Sequence, residues 1–298
     1  SPARSLIPTW PWCGPADMLR IIPDWLLYII VIAAVVFVLF RVDRRADAPE
    51  ALPETQQENG AFLPPPSAYD PEVLVEVGPV ASGLGSAFAI SEDGWWLTAR
   101  HVVDGCQRVG IIVSRGGAAP VQEVKRALFA DLALIKTDYA PSALAIDTSE
   151  RNFQVGQRAY HVGFPQGRTG EVYSRLIGRE TLVARGRYDV EEPVLVWAEL
   201  GRTSGLRGSL SGMSGGPALA ANGQVIGVTV AESARRGRIY TAAPSSILRL
   251  LRVEQIEAEG APAPRLTPDN YGQRSDDLRR DLSVAQIVCV APGDGPVT

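Results

Sequence analysis

A single serine in a glycine-rich turn has the clearest chemical potential in this sequence. Ser214 lies in the segment Gly212–Pro217, whose residues are GMSGGP. Glycines on both sides permit backbone conformations that other residues avoid, and they keep side chains away from the hydroxyl. Backbone amides gathered beside a hydroxyl can form an oxyanion hole, which stabilises charge on an attacked carbonyl. The segment is therefore typical of a nucleophilic serine, although Ser/Gly clusters also occur in plain surface turns.

A serine nucleophile needs a positioned base, and the sequence contains two histidines, His101 and His161. His101 follows the apolar run WWLTA and precedes a turn at Asp104–Gly105, which suits a side chain at the edge of a cleft. His161 lies in the middle of the strand-like YHVGF, where packing or a structural hydrogen bond is the favoured interpretation. We predict that His101 is the base.

The third group of such a site is a buried carboxylate that orients the imidazole and stabilises its charged form. Asp131 leads directly into the apolar run LALI, and acids rarely enter such a run without a partner. Asp104 is closer to His101 in sequence but lies in a Val-Asp-Gly turn. Asp131 is therefore the predicted orienting carboxylate, and Asp104 is predicted to be an ordinary turn residue.

The supply of reactive residues excludes several other classes of site. Two histidines and three cysteines cannot build a multi-histidine metal site, a four-cysteine zinc cluster or a disulfide-rich scaffold. The 33 acidic residues against 29 basic ones give a net charge of −4 and no electrostatic case for a nucleic-acid partner. Cys106 and Cys289 could pair in an oxidising compartment, but we predict that these two and Cys13 are all free thiols.

The elements that must position these residues lie in a predicted domain over residues 72–256. Short β-rich runs separated by glycine fill it, a pattern that predicts an all-β sandwich or barrel. Its length is sufficient for two small barrels that share a core. A closing helix is predicted over Ser246–Ile256. The C-terminal tail, 257–298, should contain a polar helical piece near Asp276–Leu282 and a strand over Ala285–Val290.

A long apolar stretch precedes this domain. Trp25–Phe40 carries no charge, and extension to Ile21 gives twenty residues, interrupted only by Pro23 and Asp24. At about 1.5 Å per residue this length matches a hydrocarbon core of about 30 Å. Because the stretch is apolar all round and lacks a convincing cleavage site, an uncleaved membrane anchor is favoured over a core helix or a signal peptide. The predicted organisation is a flank at 1–20, a transmembrane helix at 21–41 and a Pro-rich, semi-stiff linker at 42–71. Flanking charges do not decide the orientation.

His101, Asp131 and Ser214 follow the order of the trypsin-like triad. Four segments contain or precede them: Ser82–Phe88, Leu97–Val103, Asp131–Leu134 and Gly212–Pro217. A further glycine-rich stretch, 154–167, lies between the Asp and Ser segments. Together these motifs resemble the HtrA/DegP-like branch of the bacterial trypsin-like serine peptidases.

This resemblance implies two perpendicular six-stranded β-barrels with the triad in the cleft between them. It also implies that Ser214 is the nucleophile, His101 the base and then the acid, and Asp131 the orienting group of an acyl-enzyme mechanism. The backbone amides of Gly212 and Ser214 would form the oxyanion hole. No cofactor is implied, and the usual location of the branch is extracytoplasmic.

Two features depart from the family pattern. Met213 stands where this branch commonly has Asn and trypsins have Asp, so the network behind the serine is expected to differ. The residues after Ile256 leave no room for a PDZ domain, so activation through a peptide-bound PDZ domain is not expected.

By the same resemblance, the primary substrate pocket is formed at Gly208 and at Thr229, Val230 and Ala231. We see no acid at the expected pocket floor near Gly208. A small or medium apolar side chain is therefore the expected preference, instead of Arg or Lys.

The leading prediction is a single-pass serine endopeptidase of the bacterial inner membrane, with its catalytic domain outside the cytoplasm. Its expected partners are polypeptide substrates and the lipid bilayer. The alternative is an accessory subunit of a membrane protein complex that keeps a protease-like barrel as a scaffold. Met213, the missing PDZ domain and the strand-bearing tail motivate that alternative.

Overall fold

A computed structural model describes residues 25, 28, 30–32, 60–114, 117–147, 149 and 153–294. The predicted flank at 1–20 lies outside these residues. So does most of the predicted membrane span at 21–41, whose five described residues are helical and exposed. Among the residues that the structure describes, no helix combines the length and apolar character needed to cross a membrane. The predicted linker at 42–71 is described from Gly60 onward.

The described residues between 60 and 294 form fourteen strands and three α-helices. The strands are β1 (Glu72–Val77), β2 (Gly83–Ser91), β3 (Trp95–Ala99), β4 (Arg108–Ser114), β5 (Gly117–Pro120), β6 (Glu123–Arg126), β7 (Leu132–Lys136), β8 (Arg158–Gly163), β9 (Gly170–Gly186), β10 (Val190–Arg202), β11 (Pro217–Leu219), β12 (Val225–Ser233), β13 (Arg238–Ala242) and β14 (Val284–Val290). The helices are α1 (Arg100–Val103), α2 (Pro244–Glu254) and α3 (Tyr271–Arg280). The predicted closing helix corresponds to α2, the polar helical piece overlaps α3, and the tail strand is β14.

Two seven-stranded sheets contain all of these strands. The first has the order β5-β4-β14-β2-β3-β7-β6, with antiparallel neighbours throughout. In the second, β8 pairs with both β9 and β11, so that β8 to β13 close into a six-stranded ring. The long strand β9 also carries β1 as a parallel neighbour on its other half. The predicted all-β class is confirmed as a mostly β fold of two sheets, which is consistent with a double barrel; among the described residues, the strand pairings close only the second sheet into a ring.

The two terminal strands make each sheet larger than the predicted six strands. β1 precedes the first sheet in sequence but pairs with β9 of the second. β14 follows the second sheet but lies between β2 and β4 of the first. Residues beyond Ile256, where the domain was predicted to end, therefore contribute a strand to the first sheet. The nearly continuous apolar residues of β14 indicate a strand, but sequence alone does not show which sheet receives it.

A shared hydrophobic core joins the two sheets. Its fully buried members include Phe88, Leu97 and Leu132 from the first sheet and Val194 and Tyr240 from the second. Smaller apolar clusters fill the outer part of each sheet. One continuous core therefore holds strands of both sheets together.

A disulfide bond joins Cys106, just after α1, to Cys289 in β14. The prediction that these two cysteines are thiols was wrong. Their Cα atoms lie 5.5 Å apart although 183 residues separate them in sequence. They become neighbours because β14 inserts beside β2 and β4, a placement that the local sequence pattern does not reveal. Cys13 lies outside the described residues.

Candidate active site

The pairing of β3 with β7 brings His101 and Asp131 together. His101 is the second residue of α1, which begins directly after β3, and Asp131 directly precedes β7. Because Ala99 lies opposite Leu132, the residues beyond these two strand ends meet. Nδ1 of His101 lies 2.7 Å from Oδ2 of Asp131, and the backbone amide of His101 donates to Oδ1 at 2.9 Å. One carboxylate therefore holds both the ring and the main chain of the histidine.

Two further residues contact Asp131: Tyr188, in the turn between β9 and β10, and Glu192, in β10. The Tyr188 hydroxyl donates to Asp131 Oδ1 at 2.6 Å, and the Asp131 amide donates to Oε1 of Glu192 at 2.7 Å. Asp131 is 3% exposed and Glu192 is 1% exposed. Sequence reasoning missed both partners. Nothing local marks Tyr188, and Glu192 is one of three glutamates in β10, so no local signal distinguishes it either.

The surroundings of Asp131 raise the pKa of His101, which favours its charged form, and raise the pKa values of Glu192 and Tyr188, which favours their neutral forms. Burial lowers the pKa of His101, but the charge of Asp131 and its hydrogen bond outweigh that effect, and the net shift is upward despite the charge of Arg187. Burial, together with the charge of Asp131, raises the pKa of Glu192 to about 8 against the opposing hydrogen bond from the Asp131 amide. Burial is also the main reason that the pKa of Tyr188 is raised. Near neutral pH, Glu192 and Tyr188 are therefore mostly protonated.

Asp104, the alternative partner for His101, has different contacts. It forms ion pairs with Arg126 at 2.9 Å, Arg187 at 3.5 Å and Arg100 at 3.9 Å. Arg187 also donates to the His101 carbonyl at 2.8 Å. The turn at Asp104 thus fastens the chain around His101 through arginines, while Asp131 contacts the ring.

The serine turn requires glycine at two places. Gly212 and Gly215 adopt φ values of +95° and +87°, a region that favours glycine. A Cβ atom on Gly215 would lie 2.1 Å from the Ser86 carbonyl oxygen and 3.0 Å from the Ala99 amide. The turn that contains Ser214 is therefore pressed against the end of β3, two residues before His101.

Ser214 itself is partly exposed. Within the described part of the chain, its hydroxyl makes no hydrogen bond, and neither its amide nor that of Gly212 has a partner. The structure thus pairs His101 with Asp131 and packs the serine turn beside them, without a hydrogen bond from Ser214 to His101. Two unpaired amides beside a free hydroxyl are the groups that an attacked carbonyl oxygen would engage.

The predicted pocket residues lie on two segments that contact the serine turn. Thr229 on β12 donates its amide to Gly216 and accepts from the Gly215 amide at 2.7 Å. Thr229 and Val230 are each 3% exposed, and Ala231 is half-buried. Gly208 adopts a φ of +74° with open space around its α-carbon.

An acid missed by sequence reasoning stands beside the loop at Gly208. Oε1 of Glu232 accepts hydrogen bonds from the Leu210 amide, at 2.7 Å, and from the Ser209 hydroxyl. This carboxylate fastens the loop that precedes the serine turn to β12.

His161 lies apart from this cluster. It is fully buried, its Nε2 lies 2.7 Å from the Ser174 hydroxyl, and its ring packs edge-on against Trp197. Burial lowers its pKa to about 3. His161 therefore packs as a neutral structural residue, as its mid-strand position predicts. In the part of the chain that the structure describes, no three His, Cys, Asp or Glu side chains group as metal ligands would.

The sequence of this region matches a known peptidase family. Residues 85–228, which include His101, Asp131 and Ser214, match the trypsin-like peptidase domain. The chain therefore contains a trypsin-like peptidase domain, and its homologues are HtrA/DegP-like serine proteases.

Individual relatives show how far the similarity extends. A DegP-like periplasmic serine endoprotease of Brucella suis is 28% identical over 231 residues, which cover 73% of this chain and 42% of the relative. The serine protease HhoA of Synechocystis sp. is 33% identical over 168 residues, which cover 55% of this chain and 40% of the relative. The chain thus spans less than half the length of these curated relatives. Among solved structures, the Rv3671c protease from M. tuberculosis in its active form gives a TM-score of 0.47 at 17% identity, over 70% of this chain and 98% of that chain.

Proposed function

We propose that this chain is a serine endopeptidase that hydrolyses polypeptides through an acyl-enzyme, with Ser214, His101 and Asp131 as its triad. The observation that carries the proposal is the 2.7 Å contact between His101 Nδ1 and Asp131 Oδ2, made by a buried carboxylate within a trypsin-like peptidase domain.

Asp131 sets the protonation of the ring. With Nδ1–H donated to Asp131, the lone pair of Nε2 is free to accept a proton from Ser214 as its oxygen attacks the carbonyl carbon. The resulting imidazolium is stabilised by the same carboxylate, consistent with the raised pKa of His101. The imidazolium then protonates the departing amine. In the second half of the cycle, water loses a proton to His101, attacks the acyl group, and Ser214 regains its proton.

The amides of Gly212 and Ser214 serve as the oxyanion donors in this proposal. Their lack of partners among the described residues supports this role, because each retains a free hydrogen-bond donor next to the nucleophile. Donors held in place before the reaction stabilise the developing charge without reorganisation.

The substrate side chain would enter between the loop at Gly208 and the strand segment Thr229, Val230 and Ala231. The apolar character of that strand supports a preference for a small or medium apolar residue. Glu232 is an acid beside this loop: Ser209 and Leu210 donate to its Oε1, whereas its buried Oε2 has no hydrogen-bond partner among the described residues. Cleavage after Arg or Lys is therefore the result that would contradict the expected apolar preference.

The proposed setting is the outer face of the bacterial inner membrane, with the domain anchored through the apolar stretch at 21–41. The Cys106–Cys289 disulfide supports an extracytoplasmic domain, because such bonds persist in oxidising compartments. Whole cells treated with an alkylating reagent before and after reduction test this. Cys106 and Cys289 should be alkylated only after reduction, which adds the mass of two adducts to the chain. Alkylation of both cysteines without reduction would place the domain in the cytoplasm.

The activity is tested by digestion of an unfolded protein substrate such as reduced casein. New internal termini, mapped by mass spectrometry, should appear with the intact chain and be absent with Ser214→Ala. Ser211→Ala, a change to an exposed serine three residues away, is the matched control and should retain cleavage.

An accessory scaffold is the alternative function. Met213 and the absence of a Ser214–His101 hydrogen bond in the described residues favour it. It predicts that folded, intact chain produces no new termini and co-migrates in detergent with other membrane-complex subunits. Cleavage that depends on Ser214 contradicts it.

A further inference from the structure

The turn around Ser214 has no polar side chain of its own to hold it. Met213 lies between Gly212 and Ser214, is 1% exposed, and packs into the apolar cluster of the second sheet with Leu210. Its thioether cannot donate a hydrogen bond. Backbone hydrogen bonds link Met213 to Leu210 and to Gly216. The proposed mechanism also needs the amides of Gly212 and Ser214 to be fixed, and a side chain from outside the turn can contribute to this.

Ser86 of β2 makes four hydrogen bonds around this turn. Its Oγ donates to the Gly212 carbonyl at 2.7 Å and accepts from the Phe164 amide at 3.0 Å. Its backbone amide donates to the Ser214 carbonyl at 2.8 Å. Its own carbonyl accepts from the Thr98 hydroxyl at 2.7 Å. A single residue therefore binds the carbonyls on both sides of Met213 and ties them to β3 and to the segment after β8.

The surroundings leave room for the Ser86 hydroxyl and little else. Ser86 is 0% exposed. A Cβ atom on Gly163 would lie 2.6 Å from its Oγ, and a Cβ atom on Gly215 would lie 2.1 Å from its carbonyl oxygen. Since a buried polar group is costly unless it is paired, this enclosed and fully bonded hydroxyl fixes the geometry on both of its sides.

We propose that Ser86 is the positioning residue of the oxyanion turn and replaces the polar side chain that Met213 lacks. The proposal rests on the proposed function, because it assigns Ser86 a task within that active site. Ser86 touches no reacting atom; it acts through the Gly212 and Ser214 carbonyls. Its loss should leave ground-state binding in place and weaken stabilisation of the transition state.

The test compares Ser86→Ala with the wild type and with Ser174→Ala, a control serine that is equally buried in β9 and hydrogen-bonded to His161. In Ser86→Ala, kcat should fall by about 10- to 100-fold while KM stays within about threefold, as expected for displaced oxyanion donors. Affinity for a peptide boronic acid, which places an oxygen in the oxyanion hole, should fall in parallel. The pH midpoint set by His101 should not move. Ser174→Ala should match the wild type in all four quantities.

A second measurement does not depend on activity. In a Ser214→Ala background, hydrogen exchange of the peptide spanning 211–217 should accelerate with Ser86→Ala and remain unchanged with Ser174→Ala. If the wild type has no peptidase activity, the exchange rates still test whether Ser86 holds the turn. The proposed function and the proposed role of Ser86 can therefore be refuted independently.

Ser86→Cys, which keeps a weak donor, gives a graded loss should the alanine variant not fold. Its kcat should fall below that of the wild type, but by less than the loss of about 10- to 100-fold expected for Ser86→Ala. Equal kcat, boronate affinity and exchange in the wild type and the Ser86 variants would overturn the proposal, as would a loss confined to KM.

Discussion

Replacing Asp131 with Asn exchanges one carboxylate oxygen for an amide group that can only donate. Oδ1 receives two donors, the His101 amide and the Tyr188 hydroxyl, whereas Oδ2 faces only His101 Nδ1. The Asn oxygen should therefore keep the Oδ1 position, with its NH2 group toward Nδ1. To accept that hydrogen bond the ring must carry its proton on Nε2, and it then cannot take the Ser214 proton.

The expected loss in the rate of Ser214 acylation is about 10⁴-fold, the size of effect that a wrong histidine tautomer produces in trypsin-like sites. The pKa of His101 should also fall. Burial and Arg187 lower it, and both of the influences that raise it come from Asp131. Because the wild-type pKa is raised above 6.5, the pair stabilises the fold below that pH and loses this contribution as pH rises through the raised value.

The assay is the rate of Ser214 modification by a fluorophosphonate from pH 5 to 9. The wild type should show a midpoint above pH 6.5, because only neutral His101 can act as the base. Tyr188→Phe removes one donor and keeps the carboxylate, so its loss should be far smaller than that of Asp131→Asn. A folded Asp131→Asn protein that reacts within tenfold of the wild type would refute the proposed role of Asp131.

Three other perturbations have expected outcomes. Glu192→Gln should change the free energy of unfolding by less than about 1 kcal/mol below pH 4.5, where the carboxyl is mostly protonated in both the folded and the unfolded chain; because its pKa is raised from 4.5 to about 8 in the folded chain, urea denaturation should show that the wild type loses stability relative to the variant as pH rises across this range. Cys106→Ser with Cys289→Ser should cost about 2–5 kcal/mol in urea denaturation, since the bond closes a loop of 183 residues. Gly215→Ala should abolish fluorophosphonate labelling, because its Cβ would lie 2.1 Å from a β2 carbonyl oxygen; Gly178→Ala in β9, whose Cβ meets no atom within 4 Å, should label normally.

Each of these predictions has a contradicting result. If the wild type instead gains stability relative to Glu192→Gln as pH rises from 4.5 to about 8, the pKa of Glu192 is not raised in the folded protein. Unchanged urea midpoints before and after reduction would remove any stabilising role of the disulfide. Labelling of Gly215→Ala at the wild-type rate would show that the turn tolerates a side chain.

Local patterns were sufficient to predict most elements of the fold. Apolar runs bounded by glycine predicted the strands of both sheets, and the change to helical spacing after Pro244 predicted α2. The same patterns could not place β1 and β14, because the apolar pattern of a strand does not show which other strand it pairs with. The wrong prediction of free thiols has the same cause, since Cys106 and Cys289 meet only through the insertion of β14.

In the candidate site, too, some residues could be predicted from sequence and others could not. The sequence predicts a pair between His101 and Asp131 because His101 follows one apolar run and Asp131 precedes another; the antiparallel pairing of β3 with β7 brings these two positions together. Tyr188, Glu192 and Ser86 act across long sequence separations, through hydrogen bonds that no spacing rule encodes. Their roles follow from burial and partners in the folded chain.

The most direct test of the central claim identifies the residue that an active-site-directed fluorophosphonate modifies. We predict one adduct on the intact chain, mapped by mass spectrometry to Ser214, lost in Ser214→Ala and slowed at least about 10³-fold in His101→Ala. No adduct on the folded wild-type protein, or an adduct that forms equally fast without His101, would contradict it.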